Sequence, residues 1–469
     1  MDCCSQLTKA LGSIVSFPGS ANYNASIASY FSIQESSLTP SCIFVPETPQ
    51  DVSTAVTILA SPQSECKFAI KGRAHMPAAG FANIDDGVTI DMTRLSSVSV
   101  NEDHTVASIG AGASWLDVYQ FLDPLGLSVA GGRNGLVGVG GLSLGGGISY
   151  FAPRVGWACD NIVNAEVVLA SGELVNVNAT SHPDLLKALK GGSNNFGVIT
   201  RFDLAAFPQG PIIGGSISHS ITEREAVFQA FTEIADSSHY DIYASLVTGF
   251  LFTSADKQWS IGSTPAYTKP VLNASFYDPL TSIPNIGDTR HVTNLSVLAN
   301  ENNTPSLNWA FFTGTYGVSA PLMSKIFDIL NNTIYPFQIP ENITWSIAFE
   351  PLPTVITKFG PEKGGNSLGT SPSDGNAFVV LLSALWQSTE SNPLVNSACE
   401  TMITQINKLA HQMSLLHRFQ YLNYADPSQD PIGSYGENNV RHLRRMSKKY
   451  DPRGVFQKLV PGGFKIPGL

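Results

Sequence analysis

The sequence predicts an α+β protein built in two parts. Three observations carry this. Residues 131–147 read GGRNGLVGVGGLSLGGG, nine glycines in seventeen positions. Short strand and helix patterns surround that run between residues 42 and 207. From about residue 210 glycines thin out, and apolar strands alternate with amphipathic helices, the pattern of an antiparallel sheet covered by helices.

Taken in order, residues 1–37 read as helical and mixed in polarity. CIFVP (42–46) is a short strand, and PETPQDVSTAVTILAS (46–61) is a helix with a Pro-rich start and Val52, Val56, Ile58 and Leu59 as apolar positions. CKFAIKG (66–72) is a strand that runs into Lys71-Gly72-Arg73-Ala74-His75. GVTIDM, SVSVNED and TVASIGAG follow as short strands separated by turn residues. SWLDVYQFLDPLG (114–126) is a helix stopped by Pro124 and Gly126. After the glycine run, residues 162–178 read as a hairpin turning at Ala170-Ser171-Gly172. HPDLLKALKGG (182–192) is a helix, and GVITRFDLAAF (197–207) is a strand.

The second part, 211–414, holds strand-like ASLVTGFLF, NWAFFTGTYG, TWSIAFEPLP and NAFVVLLSALWQ, with helical REAVFQAFTEIAD and LVNSACETMITQINKLAHQM between them. The tail, 415–469, regains the Gly/Pro texture of residues 1–210 and reads as returning to that first domain.

The glycine run itself reads as loop, because each glycine costs backbone entropy and contributes no packing. Bare backbone of this kind lets N–H groups approach a pyrophosphate or a flat cofactor. The interleaved Leu and Val distinguish it from an ordinary polar loop.

Composition narrows the function classes. A chain of 469 residues buries a large core. The net charge of −10 argues against a nucleic-acid partner. The basic stretch RHLRRMSKK (441–449) reads as a solvated helix face. No apolar run reaches the length of a membrane span. The six cysteines, at 3, 4, 42, 66, 159 and 399, have no CxxC spacing and no neighbouring His, so no metal site is expected. One disulfide joining Cys3 or Cys4 to Cys66 is compatible with the order of the cysteines. Seven Asn-X-Ser/Thr sites occur, at Asn24, Asn178, Asn273, Asn294, Asn302, Asn331 and Asn342. They point to a glycosylated protein of the secretory pathway or the extracellular space. No charged-then-apolar leader is visible before residue 13, so either a leader has been removed and Met1 is an added start, or the protein is intracellular.

Seven motifs in order, KGRAH (71–75), GVTIDM (87–92), the glycine run through Ser149, GWACDNI (156–162), LKGGSNNFGVITRF (189–202), YLNYADP (421–427) and YDPRGVFQ (450–457), resemble the berberine-bridge-enzyme-like flavoproteins, which share the vanillyl-alcohol-oxidase fold. The style is that of fungal members. The resemblance is strong over residues 40–210 and clear over the last 55; the middle is similar only in texture.

The resemblance implies a PCMH-type FAD-binding domain (1–210 with 415–469) and a substrate domain (211–414). It implies FAD bound without a Rossmann fingerprint, and Gly138-Val139-Gly140-Gly141-Leu142-Ser143 indeed lacks the third glycine of that motif. It carries cofactor contacts onto Gly72, Arg73, Ala74, His75, Met76, Asn134, Val137, Gly138, Gly140, Gly141, Gly145, Gly156, Asp160, Gly197, Val198, Tyr421 and Asn423. His75 stands in the slot that bonds the flavin 8-methyl carbon, with Arg73-Ala74 where Gly-Gly is usual. Asn134 stands where bicovalent members have a Cys. An amide forms no thioether, so attachment through His75 alone is expected. Val137 falls at the family's oxygen gate, where valine goes with oxidases.

For catalysis, the resemblance points to the Tyr-x-Asn element Tyr421 and Asn423, with Tyr424 as a packing residue or third candidate. Val155 replaces a Tyr that some relatives use. Glu350 and Trp386, on predicted strands, are candidate pocket residues, each with even odds of facing inward. His239, His291, His411 and His417 lack partner spacing and default to structural roles. The expected activity is FAD-dependent oxidation of a bulky specialised metabolite by hydride transfer, with O2 as acceptor and ring closure as a frequent outcome, in a monomeric enzyme. A redox-neutral isomerase or cyclase, a carbohydrate oxidase and a non-catalytic flavoprotein are the rivals.

Overall fold

The computed structural model describes residues 2–300 and 306–469. It has an α+β architecture with three sheets. The sequon at Asn302 lies outside the described residues.

The first sheet orders its strands Val15–Ser16, Cys42–Phe44, Val88–Asp91, Phe68–Lys71, the last three mutually parallel. The helix expected over 46–61 runs Pro49–Leu59: Thr48 and Asp51 form a capping box and Pro49 occupies the first turn. Its Val52, Ala55, Val56 and Leu59 are buried with Phe44, Phe68 and Ile90. Two disulfides pin the N-terminal helix Cys3–Leu11 to this sheet, Cys3–Cys66 and Cys4–Cys42. The sequence raised only the first as one of two options. The second pairs cysteines 38 residues apart that share no local pattern.

The second sheet is antiparallel and orders Val98–Val100, Val106–Gly110, Val198–Pro208, Ile162–Val168, Leu174–Asn178. The last two strands form the expected hairpin. Contrary to the loop reading of the whole glycine run, residues Val139–Leu144 form a short helix. One and a half turns need only a few packing side chains, and Val139 and Leu144 supply them while Gly145 ends the helix.

The third sheet has ten strands, with Ala244–Thr253, Gln258–Tyr267, Thr344–Leu352, Ala377–Trp386 and Asn308–Gly317 as its long antiparallel members. Helices Arg224–Ala235, Ala320–Ile334 and Asn392–Gln412 cover one face. There Phe228, Phe231, Met323, Ile326, Met402 and Ile406 pack on Phe250, Ile347, Phe349 and Val380. Helix Ala320–Ile334 and strand Gln258–Tyr267 are not among the elements read from the sequence. The opposite face of the sheet looks toward the glycine loops.

Within the tail, Leu416–His417 pairs with strand Asn308–Gly317 of the third sheet, and later residues pack on the first sheet. Val455, Phe456 and Val460 sit in the core of the first sheet, and Asp451 accepts hydrogen bonds of 2.8 Å from the backbone N–H groups of Val455 and Phe456.

Candidate active site

A cavity of about 790 Å³ lies between the glycine loops and the uncovered face of the ten-stranded sheet. One wall is made by the loop Gly72–Met76, the segment Val137–Leu142, Gly197, Val198 and Gly463. The other comes from strand residues that alternate along each strand: Val247 and Gly249, Gly262 and Thr264, Ala348 and Glu350, with Leu381 and Phe311 beside them. Tyr421, Asn423 and Tyr424 of the tail close one side.

Of the residues expected to hold a cofactor, Gly72, Arg73, Ala74, His75, Met76, Asn134, Val137, Gly138, Gly140, Gly141, Gly197, Val198, Tyr421 and Asn423 line this cavity. Gly145, Gly156 and Asp160 do not; they stand behind the wall. A Cβ at Gly145 would sit 2.0 Å from Asn423 Oδ1, so this glycine makes room for that amide. Gly156 has φ of +83° and packs on Asp160. Asp160 caps a turn by accepting from Trp157 N–H at 3.0 Å and from Asn366 Nδ2 at 2.8 Å.

The glycine wall is bare backbone with a geometric reason. A Cβ at Gly141 would meet no protein atom, so that position opens directly on the cavity. A Cβ at Gly138 would lie 2.9 Å from Arg73 N, so the two loops must touch there. Arg73 turns away from the wall, donating to Gly112 O and to Asp117, both at 2.8 Å. Ala74 has φ of +50°, the left-handed region that favours glycine, which gives a physical reason for Gly in this slot among relatives.

His75 follows at once. Its Nε2 is buried with no hydrogen-bond partner among the described residues. Burial lowers its pKa to about 4, so the imidazole is neutral at pH 7. A neutral ring with an orphaned nitrogen, next to backbone that opens on a cavity, fits a flavin cofactor well.

Tyr421 is buried, and its hydroxyl accepts from Ile148 N–H at 2.9 Å and from Asn423 Nδ2 at 3.1 Å. Burial pushes its pKa up to about 12. This phenol holds its proton at neutral pH and organises the wall, a geometry that does not favour it as a base. The strongest polar constellation lies beside it. Arg133 Nη2 donates to Glu350 Oε2 at 2.7 Å and to the Tyr424 hydroxyl at 2.8 Å, and Tyr424 donates to Glu350 Oε1 at 2.8 Å. Burial alone would lower the Arg133 pKa, but the Glu350 carboxylate overrides it and holds the guanidinium above its ordinary value. Burial, then the charge of Glu350, pushes the Tyr424 phenol well up.

Glu350 thus faces the cavity. Trp386, the other strand candidate, faces the helices and donates to Asn392 Oδ1 at 2.8 Å. Arg133 was not singled out from sequence, although it is the one charge inside the glycine run. Tyr424 is more than packing.

Comparison with known proteins agrees with this geometry. Residues 40–178 match the family described as FAD binding domain. The chain is similar to FAD-dependent monooxygenase sdcF of Emericella nidulans, 37% identical over 99% of this chain and 98% of the relative. It is 35% identical to FAD-dependent monooxygenase drtC of Aspergillus calidoustus, over 99% of this chain and 90% of the relative. Among solved structures, 6-hydroxy-D-nicotine oxidase from Arthrobacter nicotinovorans superposes with a TM-score of 0.79 at 18% identity, covering 97% of this chain and 98% of that one. Berberine bridge enzyme in complex with (S)-reticuline gives 0.79 at 15% identity, covering 100% and 99%. The chain therefore binds FAD and belongs to the FAD-linked oxidoreductases of the fungal FAD-dependent monooxygenase type, on the fold it shares with berberine bridge enzyme.

Proposed function

We propose that this protein oxidises a bulky, mainly apolar small molecule of specialised metabolism and passes the electrons to O2, with its FAD bonded to His75. The observation that carries the reading is the two-sided cavity. One wall is a cofactor cradle; the other is a mainly apolar sheet face that also carries Ser216, Thr264 and Thr289, with the charged corner Arg133–Glu350–Tyr424 beside it. Bound FAD supplies a hydride acceptor.

The chain's own residues supply the rest. Gly72–Met76 and Val137–Gly141 hold the cofactor. Glu350 takes the proton that the substrate gives up, directly or through the Tyr424 hydroxyl hydrogen-bonded to it. The Arg133 guanidinium, 2.7 Å from Glu350, fixes the carboxylate in this corner of the cavity. Val137, on the cavity wall, leaves a route for O2. The apolar sheet face disfavours a sugar, whose many hydroxyls each need a partner when buried.

The structure also bears on the compartment. Asn24, Asn273, Asn294 and Asn342 are exposed, and the two disulfides suit an oxidising environment. This supports passage through the secretory pathway, with glycosylation checked by a mass loss on endoglycosidase treatment.

A second reading comes from the relatives named FAD-dependent monooxygenases: insertion of one oxygen atom into the product. Turnover under ¹⁸O2 separates the two. Label in hydrogen peroxide alone supports the oxidase; label in the product supports the monooxygenase; product formed without O2 or flavin bleaching overturns both in favour of an isomerase. Denaturing mass spectrometry tests the anchor, since a mass gain matching FAD that disappears in His75→Ala is expected.

A further inference from the structure

His75 is held by a residue from the far N-terminus. Phe31 stacks on its imidazole with ring centroids 4.0 Å apart and planes 19° from parallel. On the other side Phe31 meets Trp309 at 4.8 Å, and Trp309 meets Phe311, a cavity residue, at 5.8 Å.

The position of Phe31 is over-determined. Its neighbours bind the segment that follows His75: the Tyr30 hydroxyl donates to Ala82 O at 2.9 Å, and Ser32 Oγ donates to Pro77 O at 2.7 Å. Ile33 N–H donates to Leu307 O at 3.0 Å. Gln34 clasps Trp309, donating to its carbonyl at 2.8 Å and accepting from its N–H at 3.1 Å. The N-terminal segment therefore bridges the His75 loop and the edge of the substrate sheet, and Phe31 is the side chain it places on the imidazole.

A flat apolar ring does two things there. It removes water from one imidazole face, and it offers no hydrogen bond that would occupy Nε2, which has no partner among the described residues. The ring plane stays fixed while Nε2 stays available. We propose that Phe31 is a positioning residue for bonding of FAD to His75, and the inference rests on the attachment proposed above. Attachment replaces one imidazole N–H and one C–H of the flavin 8-methyl group with an N–C bond. The two protons and two electrons pass to dioxygen, which leaves as hydrogen peroxide.

The test uses full-length wild type, Phe31→Ala, Phe31→Leu and Phe31→Tyr, each purified with its flavin. Denaturing mass spectrometry gives the fraction of chains that carry FAD covalently, and thermal melting checks the fold. Loss of orientation at a reacting atom predicts a covalent fraction about tenfold lower in Phe31→Ala and Phe31→Leu, with flavin released on denaturation. Phe31→Tyr, which keeps the flat ring, restores it. If Phe31→Leu melts like wild type and is as fully loaded, the role of Phe31 is overturned while attachment stands. If wild type itself releases all its flavin, attachment through His75 is overturned and the role of Phe31 with it. Phe31→Leu decides the matter if Phe31→Ala does not fold.

Discussion

The Tyr424 hydroxyl donates a 2.8 Å hydrogen bond to Glu350, joining the C-terminal tail to the centre of the ten-stranded sheet. Arg133, from the glycine run, binds both. Three distant stretches of chain thus meet at one charged corner of the cavity.

Removing Glu350 and removing Tyr424 should therefore differ. Glu350→Gln leaves the Arg133 charge buried without a counter-ion, a loss of about 3–5 kcal/mol. Calorimetry should show a much lower melting temperature together with lost turnover. Tyr424→Phe keeps the ion pair and loses hydrogen bonds to charged groups, about 1.5–3 kcal/mol each. The expected result is a kcat lowered by ten- to a hundredfold, on the order given by transition-state arithmetic, with FAD content intact. Unchanged kcat in Tyr424→Phe would remove Tyr424 from the proton path.

The raised pKa of Tyr421 sets a pH dependence. Its folded value is about 12 because of burial, above the unfolded value of 10. The folded state keeps its proton longer, so this contribution to stability is complete below pH 10 and declines as pH rises from 10 toward 12. The turnover profile should show no step from this phenol below pH 10. Tyr421→Phe should flatten the alkaline loss of stability. It should also cost about 1–3 kcal/mol at neutral pH, because the buried Ile148 N–H loses its acceptor. Urea titration at pH 7 and pH 11 measures both effects.

Two mid-strand glycines set the size of the pocket. Gly249 and Gly262 are cross-strand partners on the cavity face. Neither has a left-handed φ, and a Cβ at Gly262 would meet no protein atom. Nothing inside the protein requires glycine there, although glycine weakens a strand by roughly 0.5–1 kcal/mol. Room for a ligand is the remaining reason. Gly262→Leu should therefore fold with equal or higher stability and keep its FAD. It should lose turnover of a bulky substrate while keeping that of a smaller analogue. Equal loss for both sizes would argue that the sheet face does not contact substrate.

The disulfides tie helix Cys3–Leu11 to the first sheet, and each closes a long loop, 63 and 38 residues. By loop entropy, removing the Cys4–Cys42 bond alone should cost about 4 kcal/mol. A Cys4→Ser, Cys42→Ser variant should melt markedly lower, with the site chemistry intact at low temperature. A melting curve unchanged by reductant would mean that the bonds do not form.

Much of the cavity's glycine wall was legible because its requirements are local. A loop that must bring bare backbone to a ligand announces itself in glycines, and Gly72, Gly138, Gly140 and Gly141 all line the cavity. His75 was singled out by the resemblance of its motif KGRAH, and the Pro-rich start at 46–49 and the Pro124 stop marked their helices. The short helix Val139–Leu144 was hidden because glycine-rich composition masks a single packed turn.

The substrate side was decided by tertiary structure. Strand periodicity tells that Glu350 and Trp386 face opposite or equal sides of a sheet, never which side is the pocket. Only packing of helices on one face turned Trp386 into core and Glu350 into a cavity residue. Arg133 and Glu350 are 217 residues apart, and Arg133 and Tyr424 are 291 apart. The same holds for Cys4 with Cys42 and for Phe31 over His75. The sequence by itself determined where backbone must stay bare, because steric rules act on neighbouring residues. The folded chain decided which charges, rings and thiols meet, because burial and non-local packing act on the whole.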